Sequence, residues 1–288
     1  MLRYPTELVY YSCMTSFDSY EQNLERRLEE LRRGDRAYEL NGDAILETLP
    51  YEPTDSPEVD TVRILDVGCG LGFVAVKLAS WPCSEVVGID PSKRAIEIAK
   101  SEHGDIGNLR FYAESAEDFA NKRENLAEPL FSRAVLNMVL HSVDDAEVLN
   151  ILEGIKKCLL PHGALSMIVP DEVWLVQKLV EKAHKAGMSW EEMDPWGREL
   201  MSRKSVDLAV GIHGEKTYDH PITIYNRTLK DYSALLKEAG YGLDITVSSP
   251  NTPENKTVIK TGFWEWDDHL SGSDLAHHDR HVLLTQVR

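Results

Sequence analysis

Residues 64–72 read Ile-Leu-Asp-Val-Gly-Cys-Gly-Leu-Gly, and the next apolar run, Val86-Val87-Gly88-Ile89, ends in Asp90. Gly68, Gly70 and Gly72 let the backbone turn tightly and approach a ligand with no Cβ in the way. Ile64 and Leu65 belong to a buried strand and Phe73–Ala79 reads as a helix, so the turn falls between a strand and a helix. Asp90 follows the turn by about twenty residues. At that spacing a carboxylate can accept from both hydroxyls of a ribose.

The glycines follow an acid, giving Asp66-x-Gly68-x-Gly70-x-Gly72. This resembles motif I of the class I S-adenosylmethionine-dependent methyltransferases. A negative charge at the turn suits a ligand carrying an ammonium and a sulfonium, and it would repel a pyrophosphate. The resemblance implies S-adenosyl-L-methionine as cofactor, with Asp66, Gly68 and Gly70 in the donor-binding turn and Asp90 on the ribose. It places Pro91 over the adenine ring, and Ser115, Ala116 and Glu117 in the turn that reads the adenine amino group. Ser92 and Ser115 also read as helix N-caps. Asn137, ending the fourth strand, is expected to contact the donor's amino group through its carbonyl. Amino-methyltransferases of DNA, RNA and protein often carry Asn/Asp-Pro-Pro-Tyr there. Here the residues are Asn137-Met138-Val139-Leu140, with no proline and no aromatic, which points to a small-molecule acceptor.

His141 follows in a Leu-His context common in the same family. As a general base it would remove a proton from a hydroxyl or ammonium, with an ordinary pKa suited to neutral pH. His220 and Tyr225 are alternative bases or substrate anchors. Trp174, Trp190, Trp196 and Met201, with Met193, are candidates to wall an apolar acceptor pocket, or else form the core of a helical cap. Tyr20 and Tyr38 are candidates to close over the donor's carboxylate. His277-His278-Asp279-Arg280-His281 invites a metal reading, but the intervening charges favour a solvated turn, and no metal is expected.

The elements that must position these residues begin at Val62. From there strand and helix patterns alternate, which implies a parallel sheet with helices on both faces. Strands are predicted at 63–67, 85–90, 109–113, 133–137, 164–169, 243–248 and 281–286. The expected fold class is α/β, a Rossmann-like, seven-stranded, mostly parallel sheet. The family resemblance implies that the last strand enters antiparallel beside the fifth. Four segments follow: an N-terminal helical cap at 1–59, a donor-binding core at 60–170, a helical lid inserted at 171–223, and the rest of the core at 224–288. In the cap, Leu24, Leu28 and Leu31 share one helical face. Thr228 with Asp231 reads as a capping box and Gly240 as the residue ending that helix. Relatives usually carry Tyr-His-Arg-Thr before it; here Asn226 replaces the histidine. Residues 249–280, rich in Asp, His and Gly, read as an exposed loop.

Composition bounds the function. The 288 residues are 42% hydrophobic and 27% charged, as in ordinary globular proteins. Lys and Arg number 31 against 48 Asp and Glu, a net charge of −17, which argues against nucleic acid as a partner. No apolar stretch has the length of a membrane span or a signal peptide. The four cysteines lack a CxxC, so the chain is expected to be cytoplasmic with reduced thiols, as a monomer or homodimer. The combined reading is methyl transfer to an oxygen or nitrogen of a small metabolite. A protein or peptide methyltransferase and a non-catalytic donor-binding protein remain as alternatives.

Overall fold

The computed structural model describes residues 24, 28–29, 45–46, 62–83, 85–126, 130–170, 205–210, 217–248, 259–262 and 280–287. Four strand–helix units and a fifth strand come first. They comprise β1 (Arg63–Val67), α1 (Phe73–Ala79), β2 (Glu85–Ile89), α2 (Lys93–His103), β3 (Leu109–Tyr112), α3 (Ala116–Leu126), β4 (Phe131–Asn137), α4 (Asp145–Cys158) and β5 (Leu159–Pro170). A 3₁₀ turn, Leu140–Ser142, joins β4 to α4. Then follow β6 (Ser205–Val210), β7 (Thr217–Tyr225), α5 (Leu229–Glu238), β8 (Tyr241–Ser248), β9 (Ile259–Gly262) and β10 (Arg280–Val287).

Among the described residues the main sheet has eight strands in the order β3-β2-β1-β4-β5-β10-β8-β9. Strands β1 to β5 pair in parallel, with Asp66 opposite Gly88 on one side and Val135 on the other. β10 enters antiparallel between β5 and β8, with Leu283 opposite Met167, as the family resemblance implies.

Side chains alternate faces along each strand. Leu65, Val67, Leu136 and Met167 meet α3, α4 and α5 through Phe119, Leu152, Ile155 and Tyr232. Ile64, Val86, Val135 and Ile168 meet α1 and α2 through Val74, Ala75, Leu78 and Ile96. Both faces are therefore covered, which explains why these strands read as near-continuous apolar runs. By the same alternation Asp66, two residues after Ile64, points to the α1 side, inside a packed layer. Leu24 and Leu28 are helical and buried with Leu71 of the glycine turn and Ala95 of α2, while Leu31 of the same predicted face lies outside the described residues.

Two expectations require correction. The sheet has eight strands because β9 forms within the segment read as loop; it is four residues long and carries Lys260 on the sheet's edge. Short, charged edge strands resist edge-to-edge association and give almost no sequence signal. The insertion is also not wholly helical: β6 and β7 pair as an antiparallel ribbon, with Val206 opposite Ile224. The β-branched run of β7 suits a strand, and Pro221 is tolerated because a two-stranded ribbon leaves edges unpaired. The ribbon runs to Tyr225, past the predicted boundary at 223. Residues 171–204 lie outside the described residues.

The capping box forms as predicted: Asp231 N donates to Thr228 Oγ1 at 3.1 Å and Thr228 N to Asp231 Oδ2 at 2.8 Å. Gly240 follows α5 at φ +77°. Helices α3 and α4 approach closely at Gly154, where an added Cβ would stand 2.8 Å from the Ala116 carbonyl carbon and oxygen. Alanine normally improves a helix interior by about 1 kcal/mol over glycine. Here backbone stands in the way, so Gly154→Ala is expected to destabilise by about 1–3 kcal/mol, read as a lower midpoint in urea unfolding.

Candidate donor and methyl-transfer site

The strand order reverses between β1 and β4, and the crevice beyond the carboxyl ends of strands at such a switch point is where open α/β sheets bind ligands. The glycine turn lies there. Gly68, Gly70 and Gly72 have φ of +69°, +53° and +84°, values that side-chain-bearing residues rarely adopt. Gly68 N and Cys69 N both donate to Ile89 O, at 2.8 and 3.0 Å, which ties the turn to the end of β2. Gly72 then serves as the N-cap residue of α1.

Asp90 is the hub of this arrangement. Its Oδ2 accepts from Gly70 N at 3.0 Å and its Oδ1 from Ser92 N at 2.9 Å. A carboxylate offers about four lone-pair sites, more than two backbone amides use. Ser92 caps α2 by accepting from Ala95 N at 3.1 Å, and Pro91 is exposed between them.

Asp66 is buried, and among the described residues neither of its carboxylate oxygens has a partner in good hydrogen-bond geometry, the Ala75 amide being only nearby. Burial, then the negative charge of Asp90, push its pKa up to about 8, with the Ala75 amide offsetting part of the rise. The Cys69 thiol is likewise pushed up, mainly by burial and then by the two acids. An orphaned buried acid beside amide-bearing glycines fits a ligand whose end is cationic.

After β3, Ser115 acts as a helix cap: its Oγ accepts from Asp118 N at 3.1 Å. Ala116 is buried against Gly154, and Glu117 is exposed. Asn137 is half-buried at the end of β4. Met138 follows at φ +56°, an uncommon left-handed conformation that costs about 1–3 kcal/mol and clusters at functional sites. Its N–H donates to Ile168 O at 2.9 Å, and the next residue, Val139, packs against Gly68. The β4 exit thus leans on the glycine turn.

His141 sits in the 3₁₀ turn, half-buried, with Nε2 3.5 Å from Ser142 Oγ. Strand β7 packs against this turn and brings half-buried Tyr225 to the same side. His220 lies on β7, its side chain outside the described residues. Trp174, Trp190, Met193, Trp196 and Met201, with Tyr20 and Tyr38, also lie outside them. Of the 277–281 run, only Arg280 and His281 are placed, at the start of β10.

Arg227 is a residue whose part sequence reasoning missed. It is buried and donates to Leu140 O at 2.6 Å, Val143 O at 2.7 Å and Asp145 Oδ1 at 2.7 Å, gripping the His141 turn from both ends. Its guanidinium lies 5.1 Å from the Tyr225 ring centroid. A buried arginine next to a capping box is a signal in hindsight, but its partners lie more than 80 residues away.

A glycine turn flanked by two acids, Asp66 and Asp90, at the switch point of the sheet has the arrangement of a class I methyltransferase. The family model "Methyltransferase domain" matches residues 58–240, and the chain belongs to that family. It is an enzyme, and its cofactor is S-adenosylmethionine. No curated protein matches the chain. Among solved structures it is similar to an S-adenosylmethionine-dependent methyltransferase of Methanosarcina mazei, at 21% identity over 79% of this chain and 93% of that one, TM-score 0.52. A Thermotoga maritima methyltransferase, "possible histamine N-methyltransferase", aligns at 16% identity over 95% and 100%, TM-score 0.54. The N-methyltransferase NodS of Bradyrhizobium japonicum, solved with S-adenosylhomocysteine, aligns at 15% identity over 95% and 99%, TM-score 0.52.

Two outcomes follow from the acids. Asp90→Ala removes an acceptor from the ligand and from two backbone amides, and is expected to weaken S-adenosylhomocysteine binding by about 1–3 kcal/mol in calorimetry. Asp66 titrates near 8 in the folded chain against an ordinary 3.8, so unfolding releases a proton between those values. Stability therefore falls as pH rises from about 4 to 8, by at most about 1.4 kcal/mol per unit. Asp66→Asn is expected to be more stable than the parent without ligand, by a margin that widens from pH 5 to 7.5 in urea unfolding.

Proposed function

We propose that this methyltransferase acts on a small-molecule acceptor, moving a methyl group to an oxygen or nitrogen by direct displacement. The observation that carries this reading is the placement of the β6–β7 ribbon against the turn after β4, where Arg227 ties the two together. An insertion packed at the methyl-transfer edge suits an enclosed acceptor better than an open cleft for a polypeptide. The net charge of −17 disfavours nucleic acid.

The bound donor supplies a methyl group already activated on sulfur. The protein's work is then alignment and exclusion of water. In this reading Asp90, the glycine turn and Asn137 orient the donor, with Pro91 and the turn of Ser115, Ala116 and Glu117 beside the adenine. His141 takes the acceptor's proton, with His220 and Tyr225 as the alternative groups on the ribbon. Trp174, Trp190, Trp196 and Met201 line the acceptor's apolar side. No step requires a metal ligand.

Incubation with methyl-labelled donor and a metabolite extract is expected to move label into the low-molecular-mass fraction. Label found on polypeptide alone would overturn the small-molecule reading, and no label in either fraction would favour a donor-binding protein. With an acceptor in hand, His141→Ala is expected to lower turnover by roughly 10²–10⁴ while S-adenosylhomocysteine affinity stays near that of the parent. Unchanged turnover would remove His141 from the chemistry.

A further inference from the structure

Asp66 and Asp90 occupy one site, yet the chain treats them differently. Asp90 accepts two backbone amides, which stabilise its charged form. Asp66 is 1% exposed, and both of its oxygens are buried without a partner in good hydrogen-bond geometry among the described residues. Among the described residues the groups that bear on it are Asp90 from the end of β2, the Cys69 thiol from the glycine turn and the Ala75 amide from α1. None of these is a cation. An isolated buried carboxylate is costly, and the usual resolution is that it takes up a proton. The rise of its pKa to about 8 agrees with that geometry.

The donor and its product both carry an α-ammonium. We propose that Asp66 reads this positive charge, standing as a neutral carboxylic acid in the empty site and becoming a carboxylate only as the ammonium arrives. The O–H bond of the acid breaks, the proton passes to water or buffer, and the electron pair stays on the carboxylate that holds the ammonium. No redox change occurs. Donor recognition is then a proton exchange: one positive charge leaves the site as another enters. Below about pH 8 the association constant rises with pH, by up to about tenfold per unit, and it levels off above that value. A ligand with the nucleoside but no ammonium has nothing with which to ionise Asp66. The inference rests on the cofactor and is independent of the acceptor.

The test is calorimetry on the full chain at pH 6.5, in phosphate and in imidazole, buffers whose heats of ionisation differ. S-adenosylhomocysteine binding is expected to release close to one proton per ligand, and adenosine binding none. Asp66→Asn is expected to abolish the release, and Cys69→Ala to keep it. A binding heat independent of buffer in the parent protein would overturn the proposal, as would a release that survives in Asp66→Asn. Should that variant fail to fold, infrared spectra of the parent decide. A protonated-carboxyl band that disappears with S-adenosylhomocysteine but persists with adenosine supports the proposal, and a band unchanged by both overturns it.

Discussion

The double acceptance by Asp90 is the interaction on which the rest of the site depends. Its carboxylate takes the Gly70 amide from the turn after β1 and the Ser92 amide from the turn after β2. Two crossovers that could each close in several ways are thereby fixed against each other. The amides of Gly68 and Cys69 complete the lock by reaching the last carbonyl of β2. Gly70 can turn its N–H toward Asp90 because it holds a left-handed conformation at φ +53°. Sequence, backbone and charge are consistent here, as expected where a fold is specified well.

Asp66 shows the opposite logic. Burial and the charge of Asp90 disfavour its carboxylate form, and the Ala75 amide offsets only part of that. A group that weakens the fold and satisfies no internal need is a mark of a ligand site, because the missing partner must come from outside. The left-handed Met138 belongs to the same kind of expenditure: backbone strain held where β4 meets the crevice.

Most of the core was legible because its signals are local. The short apolar runs of β1 to β5, the glycine turn, the Thr228–Asp231 box and Gly240 each declare themselves within a few residues. Both strands of the ribbon escaped because 205–225 lies in a segment whose tryptophans and helical spacing outweighed its β-branched end. β9 escaped because four residues carry no period. Arg227 was visible but its role was not, since its acceptors on Leu140, Val143 and Asp145 become neighbours only after the sheet has formed. Ser115 was read both ways; its hydroxyl caps α3.

The position of β10 bears on how the chain is made. Within the sheet, β8 touches β5 only through β10, and β9 hangs on β8. While a ribosome is still adding residues 249–279, β1 to β5 have all their parallel partners, yet one edge of β5 stands open. The last strand closes that edge across more than a hundred residues of intervening chain, a contact of high order and hence slow to form. Until then the nascent protein presents a long apolar strand edge, the kind of surface on which newly made chains associate. The order in which the strands leave the ribosome thus sets how long that edge of β5 waits for its partner.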